Sequence, residues 1–124
     1  MLRHLAPTAT PLPLSTFLRA WPADAAALAR FRAAIEQYLG VAQCVLAASG
    51  RTALYGLLQA LRATADQPTR TEVVLPAYTC PAVAKVVLDL GLRPRLVDIL
   101  PATLAYDLSQ LNAAVREVTL AVIQ

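Results

Sequence analysis

Metal-binding side chains are scarce in this sequence: His4 is the single histidine, and Cys44 and Cys80 form no Cys-x-x-Cys pair. A zinc site would therefore lack ligands, and two buried, reduced thiols are the expected state. Charge is thin as well, at 15% of residues. The net charge is +3, but the ten arginines are scattered from Arg3 to Arg116 without a cluster. Nucleic-acid binding requires a basic patch or stripe interleaved with aromatics, so no nucleic-acid partner is expected. Long apolar runs are missing too. Gln37–Gly50 and Val73–Ala84 are cut by glycine or proline and fall short of the roughly 18 residues a spanning helix needs, so no membrane partner is expected. Pro7, Pro11 and Pro13 break the segment where a secretory signal would need an unbroken apolar core, and the expected location is cytoplasmic.

What the sequence does have is apolar residues, 57% of 124, which can fill the core of one domain. They suggest more buried surface than so short a chain easily covers. Residues 1–23 are proline-rich and read as an irregular arm. Residues 24–124 alternate between two periods. Asp24 is a suitable N-cap for a helix to about Leu39, with Gly40 as its stop. Ala27, Leu28, Phe31, Ile35 and Leu39 give that helix one apolar face. Val41–Ala48 reads as a short buried strand, Thr52–Ala65 as a helix, and Glu72–Leu75 as a strand. Cys80–Leu90 is a helix with Pro81 in its first turn, and Arg95–Ile99 is a third strand. Asp107–Gln110 forms a capping box for a helix to about Val115, and Thr119–Ile123 is a fourth strand. This order predicts an α/β fold with a mostly parallel sheet and crossover helices. The last strand lacks a covering helix, which implies another subunit or a longer chain.

The junction Ser49-Gly50-Arg51-Thr52 stands out. A strand-to-helix turn brings free backbone N–H groups and the positive end of a helix dipole together. Gly50 permits close approach of ligand oxygens, Ser49 and Thr52 offer hydroxyls, and Arg51 offers a cation. The junction is thus a plausible phosphate cradle; an ordinary turn with Ser49 as N-cap and Arg51 in solvent explains the same residues. It is neither a Gly-x-Gly-x-x-Gly turn nor a Walker loop.

Three further segments follow in order: Glu72-Val73-Val74-Leu75-Pro76-Ala77-Tyr78-Thr79-Cys80, then Gly91-Leu92-Arg93-Pro94-Arg95-Leu96-Val97-Asp98-Ile99, then Asp107-Leu108-Ser109-Gln110-Leu111. Together with Ser49–Leu54 this series resembles the DegT/DnrJ/EryC1/StrS family of pyridoxal-phosphate aminotransferases over roughly residues 30–124. The resemblance implies the first part of a fold-type-I large domain, a dimeric enzyme and amino transfer, usually from glutamate, to a nucleotide-linked keto sugar. It implies that Gly50, Arg51 and Thr52 hold the phosphate of pyridoxal 5'-phosphate. Arg51 replaces the family's usual Thr. It also places Cys80 where an aromatic normally stacks on the pyridine ring, which a thiol cannot do. Tyr78 is near but is assigned to core or rim packing, and Asp98 to a turn or cap.

Such catalysis needs a lysine to attach the cofactor and an acid at the pyridinium nitrogen. The one lysine, Lys85, lies within the Cys80–Leu90 helix, four residues before Asp89, and reads as half of a solvent-side ion pair. The resemblance places both missing groups beyond the segment present. No catalytic residue is therefore assigned, and these 124 residues on their own are expected to be inactive. The partner is a second copy or the C-terminal part of the same enzyme. Alternatives are a truncated remnant, a docking partner of an intact aminotransferase, and a small phosphate-binding α/β module.

Overall fold

The structure is a computed structural model that describes residues 13–19, 24 and 26–124. The chain divides into two compact units, Met1–Val45 and Leu46–Gln124. The first holds α1 (Leu14–Arg19) and α2 (Ala27–Leu39). The α1 helix falls inside the stretch expected to be irregular. Pro13 precedes its first turn and no proline interrupts it, so the chain coils, with Thr16 N–H donating to the Pro13 carbonyl at 2.9 Å. The other residues of that expected arm lie outside the described ones. The α2 helix begins later than expected. Ala26 occupies the N-cap position, while the Asp24 carboxylate accepts from Ala26 N–H at 2.8 Å and pairs with Arg30 at 2.8 Å. Gly40 ends the helix in the left-handed region, φ 66°, as its sequence position requires.

Val41–Ala48 is a correction: it forms no strand. A strand exists only when a neighbour takes its hydrogen bonds, and this segment bonds locally instead. Val41 N–H donates to the Glu36 carbonyl and Cys44 N–H to Glu36 Oε1, while Val45 is 92% exposed.

The second unit contains α3 (Gly50–Thr64), β1 (Glu72–Pro76), α4 (Pro81–Asp89), β2 (Arg93–Val97), α5 (Leu108–Ala114) and β3 (Thr119–Val122). Its sheet is wholly parallel, in the order β2-β1-β3. The third strand expected from sequence starts two residues early because β1 pairs Glu72 with Arg93 and Val73 with Pro94. Pro94 is tolerated because β2 is an edge. Ile99 lies outside the strand, in an antiparallel bridge to Tyr106.

Strand β1 is buried on both faces, and its side chains alternate between two clusters. Val73 and Leu75 join Leu58 of α3, Val86 and Val87 of α4, and Leu92. Val74 joins Val97, Tyr106 and Ala114 on the other face. Burying these side chains is the chief stabilising term of the unit. Strand β3 is only half buried, Val122 being 44% exposed. The Tyr106 hydroxyl donates to the Ile123 carbonyl and ties its end to the Asp98–Asp107 region. That region closes where Asp107 N–H donates to the Asp98 carbonyl at 3.1 Å. Asp107 caps α5, its carboxylate accepting from Ser109 N–H and Gln110 N–H. Only half of the expected capping box forms: the Asp107 amide is spent on Asp98, and the Gln110 side chain meets the Asp107 carboxylate instead.

Candidate functional site

The first turn of α3 begins two residues before the expected Thr52 because Ser49 caps it. Ser49 is extended, φ −160° and ψ 161°, and its hydroxyl accepts from Thr52 N–H at 3.2 Å. The two hydroxyls of Ser49 and Thr52 lie 3.0 Å apart, and Ala53 N–H donates to the Ser49 carbonyl at 2.9 Å. The amides of Gly50 and Arg51 have no intrahelical acceptor, as in the first turn of any α-helix. No acidic residue stands in this turn, so the positive helix end is not neutralised by its own side chains. Ser49, Gly50, Arg51 and Thr52 are all exposed. Gly50 carries no positive φ, and a Cβ there would meet nothing within 4 Å. The turn itself therefore does not require glycine. The set consists of two free amides, two hydroxyls and a guanidinium, which suits a phosphate dianion.

Cys80 occupies the N-cap position of α4, followed by Pro81 at the helix start. Its side chain makes no cap hydrogen bond and is exposed, and Cys44 is half-buried. The expectation of two buried thiols is thus corrected: one lies in a strand-to-helix loop and the other in the irregular segment after α2.

The ends of α3 and α4 can be aligned through one bond. Arg62 Nη1 donates to the Leu90 carbonyl at 2.6 Å, joining the C-terminal ends of the two helices. Counting back, Gly50 lies about 18 Å from Arg62 along α3, and Pro81 about 13 Å from Leu90 along α4. The first turn of α3 and the β1–α4 loop therefore share the carboxyl edge of the sheet, where open parallel α/β sheets receive ligands. Tyr78 lies in that loop and is 79% exposed, so it is a rim residue.

Lys85 is set apart from this edge. It lies within α4 and bonds Asp89 at 2.7 and 3.0 Å on the solvent side, as its spacing predicts. The Asp98 side chain is exposed, and its backbone carbonyl serves the turn to Asp107. A groove of about 500 Å³ between α3 and α4 is lined by Tyr55, Gln59, Arg62, Ala63, Asp89 and Leu90, toward the opposite, C-terminal ends of the helices. Among the described residues, no cluster of metal-ligating side chains is present, and no helix is long and apolar enough to cross a membrane.

The family model of the DegT/DnrJ/EryC1/StrS aminotransferases matches residues 17–124. The chain belongs to this family. An L-glutamine:2-deoxy-scyllo-inosose aminotransferase of Streptomyces lividus is 37% identical over 94 residues, covering 76% of this chain. An L-glutamine:scyllo-inosose aminotransferase of Streptomyces griseus is 34% identical over 93 residues, or 75% of the chain. The chain spans 21% of the length of each of these curated relatives. Two solved structures share its architecture. The sugar aminotransferase CalS13 of Micromonospora echinospora superposes with a TM-score of 0.62 at 28% identity, over 92% of this chain and 31% of that one. AtS13 of Actinomadura melliaura gives 0.60 at 27% identity, over 88% and 28%. The three-stranded parallel unit is accordingly part of a fold-type-I large domain, as the sequence resemblance implies.

Proposed function

We propose that Leu46–Gln124 forms the phosphate-holding part of a pyridoxal-phosphate-dependent sugar aminotransferase. The observation that carries this reading is the first turn of α3, whose Gly50 and Arg51 amides have no intrahelical acceptor and which holds no acidic side chain. Arg51 and Gly50 would offer free amides to the phosphate, the Arg51 guanidinium its charge, and the Thr52 hydroxyl a further donor. When bound, pyridoxal phosphate supplies an electron-withdrawing ring that stabilises negative charge at the substrate carbon. The contribution of these residues is anchorage: they fix one end of the cofactor so that its ring is oriented for reaction. We place the attachment lysine and the acid at the pyridinium nitrogen outside these 124 residues: the one lysine, Lys85, stands on the solvent side of α4, paired with Asp89.

The substrate class follows the relatives' names rather than the first expectation. Inososes are polyhydroxylated cyclic ketones without a nucleotide, and L-glutamine is the donor in both names. We therefore assign a polyhydroxylated cyclic ketone as acceptor and glutamine as donor, with nucleotide-linked keto sugars a narrower class within reach of the same chemistry. The working form is a dimer of the longer enzyme.

Thermal unfolding with pyridoxine 5'-phosphate tests the anchorage, because its alcohol cannot react with amines. The expected result is a rise in Tm that is lost in the Arg51→Ala, Thr52→Val double variant. Equal rises in both proteins would place the phosphate elsewhere. Incubation with scyllo-inosose, L-glutamine and pyridoxal phosphate is expected to give no amino product; turnover by these residues alone would overturn the division of labour.

A further inference from the structure

Arginines that are scattered in the sequence are brought together by the sheet. Arg93 and Arg95 lie on β2, and the parallel register sets them beside Glu72 and Val74 of β1. Residues paired across a ladder turn their side chains to the same face, so both arginines share the face of Val74, Val97 and Tyr106. Arg116, in the turn before β3, reaches the same place: its Nη2 donates to both Glu72 carboxylate oxygens, at 3.0 and 2.9 Å. Arg70 stands two residues before Glu72, at the same amino edge of the sheet.

The charges here do not balance. The Glu72 side chain is 13% exposed and is taken by Arg116. Arg70, Arg93 and Arg95 form no ion pair with a described residue, Asp66 and Glu117 included. The Arg93 guanidinium donates to the Thr71 hydroxyl at 3.1 Å. The Nε atoms of Arg70 and Arg95 are buried without any acceptor. A buried donor left unpaired is costly and uncommon, so these guanidinium groups call for an acceptor that the described residues do not provide.

The spacing indicates what that acceptor is. Arg93 and Arg95 are alternate residues of one strand, about 7 Å apart. An extended polypeptide repeats its side chains on one face at the same interval, so carboxylates on alternate residues would meet both guanidinium groups in step. These arginines line no part of the groove between α3 and α4, and small-molecule sites are concave. Tyr106, the aromatic of this face, is buried and offers no platform to a nucleic-acid base. Strand addition is not the mode either. Arg93 N–H donates to the Thr71 carbonyl and Ala77 N–H to the Val97 carbonyl, so Arg93, Arg95 and Val97 turn their peptide groups toward β1. Pro94 therefore faces the open side of β2, where it has no N–H to give.

We infer that this face, toward the amino edge of β1 and β2, is a docking surface for an extended acidic polypeptide segment. Arg93 and Arg95 receive its alternate carboxylates through their side chains, and Arg70 adds charge at the edge. Glu72 lies directly opposite Arg93 in the register; by holding Glu72, Arg116 leaves Arg93 free for the partner. The surface is at the other edge of the sheet from the first turn of α3, so it stands or falls independently of the phosphate anchorage.

The test is fluorescence anisotropy of a labelled peptide alternating glutamate and serine, titrated with the 124-residue chain at low salt. A peptide alternating glutamine and serine is expected not to bind. The Arg93→Gln, Arg95→Gln double variant is expected to weaken the glutamate peptide by about tenfold, and Arg93→Gln alone by about threefold. Arg30→Gln with Arg32→Gln, on α2, removes the same net charge and is expected to change affinity by less than about twofold. Circular dichroism checks folding; Arg93 is exposed, so its single variant keeps the result readable if the double variant does not fold. No binding by the parent overturns the assignment. Equal losses in the two double variants would reveal attraction to net charge alone and overturn it as well. If citrate displaces the peptide at equal concentration, a compact anion suffices and the extended partner is overturned.

Discussion

Helices α2 and α4 are both amphipathic, yet they meet different fates. In α4 the apolar positions Val86 and Val87 are fully buried against β1 and α3. In α2 no residue is buried: Leu28 is 66% exposed, Phe31 56% and Leu39 59%. The periodicity that marks a buried face is as clear in one as in the other. The difference teaches that a helical stripe specifies which side chains would be buried together, while burial itself depends on a second surface. The α4 helix has one because β1 carries Val73 and Leu75 toward it.

The largest expected effect tests this contrast directly. Leu75→Ala removes a fully buried side chain from the centre of the sheet and is expected to cost about 2–5 kcal/mol, enough to unfold much of the unit. Leu28→Ala, on the exposed stripe of α2, is expected to change stability by less than about 0.5 kcal/mol. Urea unfolding followed by circular dichroism measures both. A Leu28→Ala cost near that of Leu75→Ala would break the comparison, because it would require α2 to be packed in solution.

The next pair separates fold from ligand within α3. Ser49→Ala removes the hydroxyl that receives Thr52 N–H and is expected to cost about 1 kcal/mol. Gly50→Ala adds a methyl into open space at a helical φ, so it is expected to be neutral or to stabilise by up to about 1 kcal/mol. That same methyl would stand where a phosphate oxygen approaches, so pyridoxine 5'-phosphate affinity should fall. A stabilised Gly50→Ala that binds as the parent does would show that Gly50 serves neither turn nor ligand.

A smaller effect concerns the other face of β1. Tyr106→Phe deletes the bond to the Ile123 carbonyl, with an expected cost of about 1 kcal/mol. Burial also raises the Tyr106 phenol above its ordinary value of 10.0. The neutral form is therefore favoured by folding: its contribution is complete below pH 10 and is lost as pH rises through the folded pKa. The stability difference between parent and Tyr106→Phe should accordingly shrink in alkaline solution. A difference that stays constant from neutral to strongly alkaline pH would remove the buried phenol from the account.

The sequence was most informative where local chemistry decides the outcome. Gly40 as a left-handed helix stop, Ser49 and Asp107 as caps, and the Lys85–Asp89 pair each follow from short-range rules. It misled where a partner decides. Val41–Ala48 has strand-forming residues, but a strand needs a neighbour, and no residue in the segment announces that none is there. The N-terminal boundary of β2 was hidden by Pro94, because proline argues against a strand unless the strand is known to be an edge. At the candidate site the phosphate donors were legible from Ser49 to Thr52. The exposure of Cys80 was not, since a cysteine read alone favours the core.

The smallest effect tests backbone strain apart from burial. Leu104 adopts φ 57° at the tip of the turn between Ile99 and Tyr106, and it is 66% exposed. Its amide donates to the Leu100 carbonyl at 2.8 Å, and that turn geometry holds it in the left-handed region. A leucine there costs roughly 1–2 kcal/mol, because its Cβ crowds the backbone. Leu104→Gly removes the crowding but adds freedom to the unfolded chain worth about 0.5–1 kcal/mol, so the net expectation is a gain of up to about 1 kcal/mol. Leu104→Ala shortens the exposed side chain but keeps the Cβ, so it should gain nothing. Equal stability of the glycine and alanine variants would mean that the turn carries no strain at this residue. A glycine variant more stable than the alanine one would show that here the backbone, unlike α2 or α4, sets the cost without any second surface.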